Sequence, residues 1–496
     1  MQRNQKIASG IVWSVIATLA HAVYGFISVP LLLNYFGCQN YGIIGIATSI
    51  NVYMQMTELG FKSTSVRFFS AWLGEEKYDK TKKLFQTNLA LYGCIALFNA
   101  AVILVLSFFS APLFHLQPEE DAVLKSLLYI LTASSLVNWF SACMDQLIEG
   151  TENVAWIQRR NLLPKALQFL IIFATIYCRL SIFSYFLLNA FVLASVLPLS
   201  VWKIKKEASF ASFLPKIDKG VLHEILPYFL NIFSFSIFQF SFENLRPVLL
   251  GIQGDVSAVT DFRILNGMIS IVWAVGFLFL NALLPSTARI VAQGNQNAFH
   301  KVAYAGTKYA SIALGFCVFG MMSVGSEMIT LYVGEEYQRI VPWLYLWLLC
   351  SLSTHTKVIT SLILAGSDIK GITRCTIFAS ILGLACTWCL IPYYQVGGCI
   401  LAICVYVACE LAFYYGYYWP KKMQVRSGYI FCRCFLPYVC LGGVLAFCII
   451  KYICIGNAWL AFFAKGVCFA VCYTAVCLLL LTKEDWTFLK SALRRS

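Results

Sequence analysis

The chain is a succession of apolar runs, each about the length of a bilayer crossing, separated by short polar stretches. A hydrocarbon core about 30 Å thick needs roughly 20 apolar residues per helix. On that rule the pattern predicts fourteen spans: 7–33, 41–60, 86–110, 124–148, 161–178, 182–202, 225–250, 262–285, 303–325, 338–365, 370–391, 397–418, 430–453 and 458–481. Inside lipid each backbone N–H and C=O must be bonded within the protein, so helices are the expected form. The runs are too long for barrel strands of about ten residues.

Two polar stretches stand out, about 61–85 and about 203–224. The second falls between the sixth and seventh spans and divides the chain into two six-helix halves. A short echo accompanies it: Pro30-Leu31-Leu32-Leu33 is followed by Gly37, and Pro247-Val248-Leu249-Leu250 by Gly254. With an even number of spans in each half, the halves would be parallel repeats. The expected division is 1–210 for the first lobe, 211–420 for the second, and 421–496 for two extra helices and a tail.

Composition agrees. Of 496 residues 60% are hydrophobic and 12% charged, against about 25% charged in a soluble domain. The net charge of +14 sits between the apolar runs, which points to topology and to an anionic lipid or substrate rather than to nucleic acid. With the N-terminus placed inside, 28 of the 37 Lys and Arg fall on inside segments, so both ends are expected in the cytoplasm. Ala20-His21-Ala22 resembles a signal cleavage site, but the apolar run continues to Leu33, and an uncleaved first helix is expected. The 20 cysteines lie largely inside apolar runs, where Cys behaves as a small hydrophobe. Cys386 and Cys389 lack the further ligands a zinc site needs. No metal, no cofactor and no disulfide framework is expected.

Motifs for ATP hydrolysis, zinc proteolysis and serine hydrolysis are missing from the sequence. The chemistry left to weigh is charge inside or beside the membrane, which costs at least about 2.5–3.5 kcal/mol per residue. Arg67, Arg246, Lys357, Lys308 and Lys62 are the candidate cations of a substrate cavity. Each also has a plainer reading as a snorkelling or surface-paired side chain. Asp145, Glu149, Glu58, Glu243 and Glu410 are the candidates for gating or for carrying a coupling proton or sodium ion. Asp145 and Glu149 share a helix face and could simply pair with the basic stretch at Arg159 and Arg160. Glu58, Lys62 and Arg67 could lie along one face of a continuing helix.

Gly10-Ile11-Val12-Trp13, then Pro30 to Gly37 with Tyr41-Gly42, then Glu58-Leu59-Gly60-Phe61 with Arg67 downstream, resemble the start of polysaccharide flippases of the Wzx type. Glu149-Gly150 before a basic stretch is similar too. These flippases belong to the multidrug/oligosaccharidyl-lipid/polysaccharide exporter superfamily. The resemblance implies an all-α integral membrane protein with two six-helix lobes around a central cavity, plus two C-terminal helices, working by alternating access. It implies a transporter rather than an enzyme, sited in the bacterial inner membrane. Its cargo would be an undecaprenyl-diphosphate-linked oligosaccharide, flipped to the outer leaflet for surface polysaccharide such as O-antigen or capsule. Only Arg67 carries over from the matching stretch; Glu243 and Arg246 depart in spacing from the family's acidic–Arg pair. Expected partners are the lipid-linked oligosaccharide, membrane lipid, and a glycan polymerase with other assembly proteins, around a monomer. A cation-coupled multidrug antiporter of the same superfamily, and a membrane glycan polymerase or ligase, remain the alternatives.

Overall fold

The computed structural model describes residues 2–54, 58, 60–208, 210–292, 296–365 and 370–480. Leu59 of the Glu58–Phe61 motif and the basic tail beyond 480 lie outside the described residues. Among those described there is no strand. In the first part of the chain the helices are α1 (Gln2–Met54), α2 (Phe61–Gly74), α3 (Tyr78–Phe108), α4 (Ser110–Phe114), α5 (Pro118–Gly150), α6 (Val154–Tyr177), α7 (Ile182–Ala194), α8 (Val196–Glu207), α9 (Lys219–Asn244), α10 (Arg246–Gln253) and α11 (Val256–Ala292). The remainder holds α12 (Gln296–Lys301), α13 (Thr307–Ser323), α14 (Gly325–Val333), α15 (Val341–Ser351), α16 (Lys357–Ala365), α17 (Lys370–Tyr394), α18 (Val396–Phe413), α19 (Ser427–Tyr429), α20 (Leu436–Tyr452) and α21 (Ala458–Leu480).

Eleven described helices are long and apolar enough to cross a membrane. The protein is a multi-pass, all-α membrane protein. The first expected span lies within α1, and the second, 41–60, starts within it and runs past its end at Met54; between them Gly37 (φ 80°, ψ 167°) interrupts the helical path. That conformation is open to glycine and closed to most residues. The expected spans 161–178 and 225–250 correspond to α6 and α9. These are 24 and 26 residues long but are not among the eleven; α6 carries Arg159, Arg160 and Lys165 in its first half, whereas α9 has no charged residue between Glu224 and Glu243.

By contact the chain forms two compact units. Unit 1 is Met1–Gly267 with Thr376–Ala402, and unit 2 is Met268–Cys375 with Ile403–Ser496. The expected boundary at 210 lies inside unit 1.

In unit 1 the stretch 61–85, expected as a polar loop, is mostly helix. Phe69 and Trp72 of α2 are buried with Leu84, Phe85 and Tyr92 of α3 and Trp139 and Leu147 of α5. The opposite face carries the exposed Lys62 and Arg67, so the segment is amphipathic. A helix continuing from Glu58 through Arg67 is not formed. Gly60 has φ +87° and starts α2 anew, and a Cβ there would stand 3.1 Å from the Phe229 backbone oxygen on α9. Gly150 serves close approach: a Cβ would lie 2.5 Å from Phe69 Cβ. The connection from α8 to α9 is docked along α3. Lys216 N–H donates to the Gln86 carbonyl (3.2 Å) and Asp218 N–H to Thr87 Oγ1 (3.0 Å). Asp218 then caps α9 by accepting from Val221 N–H (3.0 Å), which holds its carboxyl below the usual range, with Lys83 adding to the effect.

In unit 2, α13, α20 and α21 meet through small residues. A Cβ on Gly442 would overlap Phe319, and one on Gly315 would overlap the Tyr473 hydroxyl. An ion pair, Lys465–Glu327 (2.5 Å), ties α21 to α14. His355 is buried, with Nε2 2.7 Å from the Tyr415 hydroxyl and Nδ1 2.7 Å from the Leu352 carbonyl.

Candidate functional site

Unit 1 encloses a cavity of about 160 Å³ lined by Asn51, Glu58, Asn99, Ser135, Asn138 and Trp139 among others. Helical spacing assembles it: Ser135, Asn138, Ala142 and Gln146 recur along one face of α5. The Glu58 carboxylate accepts from the Tyr92 hydroxyl (3.4 Å) and from Gln146 Nε2 (3.4 Å). Gln146 also donates to Tyr92, and Asn88 donates to Ser65 Oγ (2.8 Å) and to Gln146 Oε1 (3.5 Å). Buried polar chains of this kind hold one another in fixed orientation. The result is a carboxylate hydrogen-bonded to neutral hydroxyl and amide groups, with the charges of Lys62 and Glu149 near enough to act on it.

Beside it, the two carboxylates of the α5 end answer different cations. Glu149 takes Lys62 at 3.0 Å. Asp145 takes both Nη atoms of Arg160 at 2.5 and 2.7 Å, and Arg160 also donates to Ser200 Oγ (2.5 Å). The bidentate geometry is the strong form of a carboxylate–guanidinium pair. Arg160 is 4% exposed, so this pair fastens α6 and α8 to α5. Lys62 is 54% exposed and stays open to solvent. Arg67 is exposed and stacks its guanidinium 4.1 Å from the Tyr228 ring on α9.

A second cationic cluster in unit 1 was not singled out in the sequence. Arg263 on α11 donates to Thr48 Oγ1 (3.2 Å) and lies 4.5 Å over the Tyr41 ring. Lys165 on α6 donates to Gln168 Oε1 (3.1 Å) and lies 4.9 Å over the Tyr24 ring. Tyr24 and Tyr185 interact with each other and with the Arg263 charge, and His21 is near enough to feel Lys165. Glycines make the room. A Cβ on Gly45 would stand 2.7 Å from Arg263 Cδ, and one on Gly42 2.5 Å from the Val256 carbonyl, the close approach that small residues allow between membrane helices. Among the described residues, neither Arg263 nor Lys165 has a carboxylate partner. Ring faces and neutral dipoles balance these charges, and most guanidinium donors of Arg263 are left for another acceptor. Both residues sit at the edges of apolar runs, where the charge pattern alone assigns them to topology.

The other candidates are dispersed. Arg246 is 2% exposed, donates from Nε to the Phe242 carbonyl (2.8 Å) and from Nη2 to the Glu243 carbonyl (3.4 Å), and rests on the Phe242 ring. It closes the end of α9. The Glu243 carboxylate is exposed and accepts from Gln239 (3.0 Å). In unit 2, Lys308 is half-buried near Cys434, and Glu410 is half-buried near Cys375 and Tyr414. Lys357 is half-buried at the start of α16, two residues after His355. These placements predict opposite outcomes for two arginines. Arg246→Ala is expected to lower the amount of folded protein, because buried carbonyls lose their donor. Arg67→Ala is expected to leave it unchanged; immunoblotting of membranes checks both.

Residues 14–163 match the MatE family. No curated protein matches the sequence. Among solved structures, the lipid II flippase MurJ in an inward closed conformation is similar, with a TM-score of 0.72 at 14% identity, covering 94% of this chain and 97% of that one. An inward-facing multidrug resistance MATE family transporter of the MOP superfamily gives 0.64 at 9% identity, covering 89% and 100%. The MATE multidrug transporter DinF-BH gives 0.61 at 13% identity, covering 84% and 96%. At these identities the likeness speaks for architecture: the chain has the all-α membrane-transporter fold of MATE proteins and MurJ.

Proposed function

We propose that the protein is a flippase of the multidrug/oligosaccharidyl-lipid/polysaccharide exporter superfamily. Its cargo, in this reading, is an undecaprenyl-diphosphate-linked oligosaccharide, moved from the cytoplasmic to the outer leaflet for surface polysaccharide assembly. The observation that carries the reading is the cluster of Arg263 and Lys165, two cations among membrane helices with tyrosines around them and no carboxylate partner among the described residues. A diphosphate is the natural complement of such a cluster, because a guanidinium matches phosphate oxygens with paired donors. Lys62 and Arg67, exposed on α2, add positive charge to the same unit. The likeness to a lipid II flippase supports a lipid-linked cargo.

The same reading places both termini in the cytoplasm and the protein in the bacterial inner membrane. Within it Glu58, in its polar cavity, takes the coupling cation. That cavity is also the one observation favouring a second reading, a multidrug antiporter with a cationic cargo. The two part in a deletion strain. The flippase reading expects lipid-linked repeat units to accumulate on the cytoplasmic face and surface glycan to fall. A strain with normal surface glycan and new sensitivity to cationic dyes would favour the antiporter.

A further inference from the structure

Unit 2 contains two thiols that no part of the candidate site uses. Cys350 is the last residue but one of α15, and Cys404 lies on α18, 54 positions later in the chain. Their Sγ atoms are 3.2 Å apart, and both side chains are half-buried. A disulfide needs about 2.05 Å, so closing the bond requires the sulfurs, now 3.2 Å apart, to approach by about 1.2 Å. Cys404 is also placed where a bond would have leverage. It lies two residues past Ala402, where α18 leaves unit 1 and enters unit 2. A bond to α15 would fasten the start of the unit 2 portion of α18.

We propose that Cys350 and Cys404 form a reversible disulfide that ties α15 to α18 and slows transport. The transport half of this proposal rests on the flippase reading; the chemistry of the pair does not. The oxidant class is a small, uncharged disulfide able to enter the apolar surroundings. The thiolate of one cysteine attacks a sulfur of that reagent, breaking its S–S bond and expelling one thiol. The second cysteine then attacks the mixed disulfide, forming the Cys350–Cys404 bond and expelling the other thiol. Two electrons pass from the cysteine pair to the reagent, and the two protons end on its two thiols. A dithiol reductant reverses the exchange.

The test uses the full-length protein in proteoliposomes, treated with 2-hydroxyethyl disulfide, blocked with a maleimide and mapped by mass spectrometry. The expected product is a Cys350–Cys404 linked peptide that dithiothreitol removes. Transport should slow by about tenfold, the change that about 1.4 kcal/mol on the rate-limiting barrier produces, and recover on reduction. Cys350→Ser and Cys404→Ser should each abolish both the linked peptide and the slowing. Oxidation of other cysteines without a 350–404 link overturns the proposal. A link that leaves transport unchanged overturns the clamp. Absence of transport before and after oxidation would instead count against the flippase reading, while the linked peptide still decides the thiol site.

Discussion

Arg263→Ala is expected to lower export of the lipid-linked glycan by about ten- to a hundredfold while the protein remains in the membrane at its normal level. The magnitude follows from charged hydrogen bonds, which contribute about 1.5–3 kcal/mol each, with 1.4 kcal/mol for each tenfold. The native level follows from what Arg263 touches. Its partners among the described residues are the Thr48 hydroxyl and the Tyr41 ring, and both tolerate its removal better than a buried carboxylate would. Arg263→Lys keeps the charge and loses the paired donors, so it should retain part of the activity. Arg263→Met fills the space beside Gly45 without charge and should behave like the alanine variant. Export rates of the three variants, normalised to protein amount, check the order. Equal export by all three would remove Arg263 from the substrate path.

Breaking the Lys465–Glu327 pair should have the largest effect on stability. The two side chains are 9% and 16% exposed, so removing one partner strands a charge in a poorly solvated place. Losses of about 3–5 kcal/mol are usual for fully buried pairs. The residual exposure here puts Lys465→Met and Glu327→Met near the lower end, about 3 kcal/mol each. The double Met variant should recover most of that loss, because two packed apolar side chains often replace a buried pair without penalty. Thermal unfolding of the detergent-purified protein follows the series. Single variants as stable as the parent would show that the pair contributes little to fastening α21 to α14.

Much of the fold is written in the apolar runs, because lipid leaves the backbone few alternatives to a helix. The first two expected spans lie on either side of Gly37, a residue type that is itself a punctuation mark. The stretch 61–85 was harder to read. Its polar residues suggest a loop, yet Phe61, Ser65, Phe69 and Trp72 recur at helical spacing and give α2 its inner face. The candidate site was only partly legible. Glu58, Asp145 and Glu149 stand out as carboxylates near apolar runs, and the structure gathers them with Lys62 in one unit. Arg263 and Lys165 do not stand out, because a cation at the end of an apolar run is the ordinary signature of orientation. Their meaning comes from Tyr24, Tyr41 and Tyr185, which only folding brings around them. Lys465 is visible as a charge inside a run, but its partner Glu327 is 138 positions away, beyond any local pattern.

The most direct test of an anionic, lipid-linked cargo is translocation by the purified protein in proteoliposomes. The cargo is a fluorescent polyprenyl-diphosphate oligosaccharide placed in one leaflet. The native protein should transfer it to the other leaflet, and Arg263→Ala should do so at least about tenfold more slowly, matching the loss of a charged hydrogen bond. No transfer of that lipid, with uptake of a cationic dye by the same vesicles, would contradict an anionic, lipid-linked cargo.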